Sequence, residues 1–197
     1  MKRFDTIMRI AATLSLAAGA TLLNGCIPLV IGGAVVTAQV ATDRRTTGAQ
    51  LDDEFIEDKA IAQISDRLKS DIHVNVTSYN GIALLTGEAP TEASKNEVAQ
   101  VVRSMPKVRI VQNELVVGPT SSFSARTNDT VTTSKVKSRF VEAYNKFQIN
   151  HVKVVTERGV VYLMGVVRRD EADAAASIAS TTSGAQRVVK VFEYLAG

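Results

Sequence analysis

Val74-Asn75-Val76-Thr77-Ser78-Tyr79-Asn80-Gly81-Ile82-Ala83-Leu84 is the stretch that decides the fold. Val74 and Val76 alternate with Asn75 and Thr77, the period-two pattern of a half-buried strand. Asn80-Gly81 then offers the residue pair of a two-residue type I′ turn, in which both central positions need positive φ. Ile82 and Leu84 resume the apolar pattern on the way back. Upstream, within 54–69, Ile56, Ala60, Ile64 and Leu68 mark one stripe of a helix that Asp52 or Asp53 could cap. Downstream, Val98, Val101, Val102 and Met105 recur at i, i+3, i+4, i+7, a second amphipathic helix. A last strand from Val111 to Val117 completes the order helix, strand, strand, helix, strand.

The same pattern returns 78 residues later. Val74-Asn75-Val76-Thr77 aligns with Val152-Lys153-Val154-Val155, Gly81 with Gly159, Gly87 with Gly165, and Ile110-Val111 with Val188-Val189. Before the first strand the offset is 76, which sets Ala60, Ile64 and Leu68 opposite Val136, Phe140 and Tyr144. The second turn is Arg158-Gly159, a weaker hairpin signal. The second helix of this copy is an alanine face, Ala172, Ala175, Ala176 and Ala179, which allows close approach to a sheet, and its last strand runs from Val189 to Leu195. The fold class is therefore α/β, with two tandem domains, each carrying two helices on one face of a three-stranded sheet. Residues 52–117 form the first, 118–127 a linker and 128–197 the second. Units of about 65–70 residues lie near the lower limit for independent stability. Each has its own helix stripes and strands and is expected to fold as a unit, with mutual docking as added support.

Ahead of the domains, Lys2, Arg3 and Arg9 precede an apolar or small run from Ile10 to Leu23, and Leu23-Asn24-Gly25-Cys26 places the one cysteine at its end. The run is about 14 residues, short of the roughly 20 that span a bilayer. This is the layout of a bacterial lipoprotein signal: residues 1–25 removed, Cys26 lipidated, 26–51 a tether. A buried free cysteine beside a chance apolar segment is the alternative. Asn24 departs from the usual small residue of a lipobox. Without a second cysteine no disulfide braces either domain. Residues 52–117 hold 7 Lys and Arg against 11 Asp and Glu, net −4, whereas 126–197 hold 11 against 7, net +4. The basic half is the better candidate for an anionic partner.

No catalytic constellation is visible. His73 and His151 occupy equivalent repeat positions, which points to a structural role, and no Cys or His pair has metal-ligand spacing. Asp170, Glu171 and Asp173 cluster where a helix begins, and Asp170 can cap it. The chain reads as a non-enzyme without cofactor, metal or small-molecule substrate. Nucleic acid is a poor partner for a half with few aromatics and an extracytoplasmic location.

A membrane surface fits better. At 100° per residue, Val136, Phe140, Ala143 and Phe147 form the core stripe of the helix opening the second copy. Val131, Ser134, Ser138, Val141 and Asn145 face the other way, bordered by Lys135 and Lys137. Exposed valines flanked by lysines suit a helix on an anionic headgroup layer, and they also suit ordinary surface.

The glycine-punctuated strands resemble the BON domain. The lipobox, the two tandem copies, Thr42-Asp43-Arg44-Arg45, Asn128-Asp129-Thr130 and the run Val161-Tyr162-Leu163-Met164-Gly165-Val166-Val167 are similar to dual-BON outer-membrane lipoproteins of the DolP type over residues 26–197. That resemblance implies binding of anionic phospholipid through the second domain at Ser124, Val131 and Val141, and support of outer-membrane integrity. Related helices can carry Trp where this chain has Val131, and Phe123 can partly compensate. Ile27, in place of an aspartate after the lipidated cysteine, implies the periplasmic face of the outer membrane. An envelope scaffold whose main partner is protein, such as outer-membrane assembly machinery, is the alternative.

Overall fold

The computed structural model describes residues 43–68, 72–143 and 145–196, so Cys26, the signal and most of the tether lie outside the described residues, as does Tyr144. Its elements are α1 (Thr47–Leu68), β1 (His73–Tyr79), β2 (Ile82–Ala89), α2 (Glu92–Arg103), β3 (Ile110–Asn113), β4 (Val116–Val117), α3 (Phe123–Glu142), β5 (Lys153–Glu157), β6 (Val160–Val167), α4 (Arg169–Ser180) and β7 (Arg187–Tyr194). A 3-10 turn, Ile149–His151, precedes β5.

In both units the middle strand is the second one. β2 pairs antiparallel with β1 and parallel with β3 and β4, and β6 pairs antiparallel with β5 and parallel with β7. The expected strand 111–117 is interrupted, because Asn113 Oδ1 accepts from Leu115 N and the Leu115 side chain turns into the core. Both hairpins take the expected turn: φ is 51° at Asn80, 74° at Gly81, 52° at Arg158 and 73° at Gly159.

Alternate residues of β2 and β6 explain the layering. Ala83 and Leu85 point at α1 and α2, and Val161, Leu163 and Val167 at α3 and α4. Ile82 and Leu84 instead meet Tyr162, Met164 and Val166 in a third core that also takes in Tyr79. The two sheets therefore pack on each other, giving four layers in the order helices, sheet, sheet, helices. Central strands covered on both faces read as near-continuous apolar runs, as here. The domains are similar units, as the repeat implies, but a domain excised from this pair would expose half of a core.

Several boundaries differ from the expected ones. α1 begins at Thr47, and Thr46 Oγ1 accepts from Ala49 N, so Thr46 caps it rather than Asp52 or Asp53. Asp53 is buried inside the helix and serves the hairpin. Its carboxylate accepts from Ser78 Oγ at 2.6 Å, Asn80 N at 2.7 Å and Gly81 N at 2.9 Å. Asp129, 76 residues on, does the same for the second turn, accepting from Arg158 N and Gly159 N at 2.8 Å each. This carboxylate is why Arg158 can occupy a left-handed turn position. α3 starts at Phe123, inside the stretch expected as linker, with Ser122 Oγ accepting from Ala125 N. It ends at Glu142, so Phe147 reaches the core from the following loop and meets Phe140 edge-on at 5.0 Å. In α4 Asp170 is exposed and does not cap; Glu171 accepts from Arg168 N. A Cβ at Gly87 or Gly165 would run into the carbonyl oxygen of His73 or His151, which ties the repeated glycines to the repeated histidines.

Candidate functional site

α3 is fixed from below and open above. Asp129, Thr132, Val136 and Phe140 are buried along one stripe, and Asp129 pins the helix to the turn between β5 and β6. Every candidate on the other side reaches solvent: Ser124, Val131, Lys135, Lys137 and Val141 are all exposed. Val131 is 46% and Val141 58% exposed, and Phe123, the first residue of the helix, is 86% exposed. Phe123 and Val141 are 18 residues apart, five turns, so they share a meridian about 27 Å long with Val131 between them and roughly 80° round. Neither Lys135 nor Lys137 has an ion-pair partner among the described residues. They flank the helix in different clefts. Lys135 borders one with Arg158 and Gln186, and Lys137 borders a cavity of about 500 Å³ with Arg126, Thr130 and Thr133. Arg126, unmarked in the sequence reading, lies on the Lys137 side of the helix and donates to Ser121 O. Arg139 is spent on Ile178 O and Thr182 Oγ1.

Polar residues gather where the two sheets end. On one side the segment Asp43-Arg44-Arg45 joins the domains. Arg45 is bound by Asp43 and Asp53 and lies 3.9 Å over the Tyr79 ring, all in the first domain. Arg44 turns to the second, donating to Val166 O at 3.0 Å and gripping Glu171 through both oxygens at 2.6 and 2.9 Å. Burial raises the Asp43 and Glu171 carboxyls, but hydrogen bonds and charge from Arg45 and Arg44 outweigh it and hold both below the usual carboxylate range. Burial pushes the Tyr79 hydroxyl up to about 12.

On the other side His73, Glu88 and Glu157 converge, with one ligand-type atom of each within 4.8 Å of the others. His73 and Glu88 are cross-strand partners, while Glu157 comes from the second domain. Glu88 is completely buried, and Glu157 is 6% exposed. Burial raises Glu88, yet Ser121 N–H, Arg158 and His73 bring it below its ordinary range; burial leaves Glu157 raised. Sequence spacing could not reveal this grouping, because its members lie on three strands of two domains. Arg109 with Glu193 at 3.0 Å and Lys153 with Glu57 at 2.7 Å add further links between the domains.

No helix among the described residues is long and apolar enough to cross a membrane. The family model described as "BON domain" matches residues 52–119 and 128–196. The chain is 42% identical over 186 residues to a protein of Haemophilus influenzae named outer membrane lipoprotein DolP, covering 92% of this chain and 95% of that one. It is 33% identical to the 21 kDa hemolysin of Actinobacillus pleuropneumoniae, over 78% of this chain and 79% of that one. It is 30% identical to osmotically-inducible protein Y of Escherichia coli, over 76% of each.

Proposed function

Because this chain belongs to the BON-domain family, as a tandem dual-domain protein of the DolP type, we propose that it is a non-catalytic outer-membrane lipoprotein, anchored through Cys26, whose second domain binds anionic phospholipid through α3 and supports outer-membrane integrity. The observation that carries this reading is the exposed apolar series Phe123, Val131 and Val141 on a helix whose Lys135 and Lys137 have no ion-pair partner among the described residues. A helix of this kind lies in the headgroup plane, apolar side chains inserted and ammonium groups on phosphate. Phe123 supplies an aromatic anchor that partly compensates for the Trp related helices can carry at the Val131 position. A contact too weak to hold a free protein still acts when a lipid anchor keeps it at high effective concentration.

Co-sedimentation of a soluble form starting at Asp43, which keeps both domains and the segment joining them, tests the reading on phosphatidylglycerol and phosphatidylcholine vesicles. Binding favours phosphatidylglycerol. Each basic residue near an anionic surface contributes about 1 kcal/mol, so Lys135→Glu with Lys137→Glu weakens binding roughly 100- to 1,000-fold at low salt. Val131→Glu and Val141→Glu weaken it at both low and high salt. Protein that stays in the supernatant with phosphatidylglycerol at low salt refutes direct lipid recognition.

A second reading rests on α1, where Leu51, Phe55 and Ile61 are exposed. In it the acidic domain is the docking surface of an envelope scaffold, with a protein partner such as outer-membrane assembly machinery. Leu51→Ser with Phe55→Ser leaves vesicle binding unchanged and removes that partner.

A further inference from the structure

We propose that His73, Glu88 and Glu157 bind a divalent transition-metal cation, with Zn²⁺ the best fit, and that this ion staples the first domain to the second. His73 and Glu88 come from β1 and β2, Glu157 from the end of β5, and their ligand atoms lie within 4.8 Å of one another. The geometry sorts the two oxygens of each carboxylate into different jobs. Glu88 Oε1 accepts from Arg158 at 3.1 Å, while Oε2 lies 3.0 Å from His73 Nδ1. Glu157 Oε2 accepts from Asn75 Nδ2 at 2.9 Å, while Oε1, buried, has no hydrogen-bond partner among the described residues. A buried carboxylate oxygen left without a donor is costly, and here it belongs to a residue that brings a ligand atom within 4.8 Å of those of His73 and Glu88.

A cation takes the place of the proton between His73 Nδ1 and Glu88 Oε2, with His73 as the neutral tautomer protonated on Nε2. It then has three protein ligands, one nitrogen and two oxygens. An imidazole with two carboxylates disfavours Ca²⁺ and Mg²⁺, which take oxygen sets, and suits Zn²⁺ with water in the fourth position. Arg158 and Asn75 already orient the ligating carboxylates from behind, as outer partners of metal ligands do. Access is through the cavity of about 500 Å³ lined by His73, Asn75 and Glu157 beneath α3. The repeat supports a specific site rather than a general one. At the equivalent positions of the other hairpins Glu88 becomes Val166 and Glu157 becomes Tyr79, so only one of the two related corners carries the set.

The test uses the full chain in detergent micelles, freed of metal with a chelator and titrated with ZnCl₂ by calorimetry, with the melt followed alongside. One equivalent binds and raises the melting temperature, and Co²⁺ in its place gives visible d–d absorption. Glu157→Gln abolishes both effects. Asn75→Ala, which keeps all three ligands, weakens binding about 10- to 100-fold; this variant carries the test if Glu157→Gln does not fold. His151→Gln, at the other corner, binds as the wild type does. Absence of saturable binding overturns the proposal, as does binding that survives in Glu157→Gln.

Discussion

Asp129→Ala isolates what one buried carboxylate does for the second domain. Its two oxygens accept from Arg158 N and Gly159 N at 2.8 Å each, and no other acceptor among the described residues serves these two N–H groups. Hydrogen bonds to a charged group contribute about 1.5–3 kcal/mol each, and a buried donor left unsatisfied loses a similar amount. Arg158 N–H lies near the surface and can take water, whereas Gly159 N–H is buried. The expected cost is therefore about 3 kcal/mol rather than the full sum of two bonds. For a cooperative unit of this size each kcal/mol lowers the melting temperature by about 2–4 °C, so the alanine variant melts about 6–12 °C lower. Asp129→Asn retains one acceptor oxygen and loses about half as much. Asp173→Ala serves as the control, because Asp173 is exposed and only pairs with Lys190 at the surface, where such changes stay within about 0.5 kcal/mol. Thermal melts by circular dichroism at pH 7 decide the matter. An alanine variant that melts within about 2 °C of the wild type would mean that the turn holds its left-handed residue without the carboxylate.

The clasp formed by the Asp43–Arg45 and Arg44–Glu171 pairs should make stability acid-sensitive. Both carboxyls are held below their ordinary values, so their contribution is complete above the unfolded pKa near 4 and disappears as pH falls through the lower folded values. Melts between pH 7 and 2 should show that loss, and Arg44→Ala should reduce it by the Glu171 share while leaving the Asp43 share, which Arg45 holds; an unchanged slope counts against the clasp. Met164→Ala empties part of the sheet-to-sheet core and should cost about 2–5 kcal/mol, measured by urea unfolding; a change under 1 kcal/mol would mean the sheets do not hold each other. Cys26 should be found acylated by mass spectrometry of membrane-extracted protein, and Cys26→Ala should leave the membrane pellet; retention of that variant contradicts the anchor.

The hairpins were legible because their chemistry is local: Asn80-Gly81 and Gly159 announce a turn, and alternating valines announce the strands around it. The apolar runs 82–85 of β2 and 160–164 of β6 fit strands covered on both faces, but the sequence reading placed helices on one face and did not foresee the sheet-to-sheet packing. What escaped was the work of single carboxylates. Asp53 looks like a helix cap by position, and its true partners, Ser78, Asn80 and Gly81, are 25 to 28 residues away. Phe123 sits in a stretch of Ser, Thr and Pro that reads as linker, and only Ser122 as cap makes it the first residue of α3. On that helix Val131, Lys135, Lys137 and Val141 are exposed as counting 100° per residue expects, because α3 is a continuous helix through Glu142, whereas Ser124 came only from the family resemblance and proves to lie in its first turn.

The order of the four layers settles a conflict in the charge distribution. A protein with one domain at net −4 would be repelled from an anionic bilayer if that domain lay beside the basic one. Here the acidic helix α1 stands, with the charge-balanced α2, beyond two sheets. Helices about 10 Å across and sheets about 10 Å apart put them roughly 30 Å from α3. Counter-ions at physiological ionic strength screen over about 8 Å, so the repulsion reaching a bilayer under α3 is cut to a few per cent of its bare value. For the proposed lipid-binding function, stacking the domains instead of laying them side by side would let one chain turn a cationic base to lipid and an acidic crown, with Leu51 and Phe55 on it, to whatever lies above.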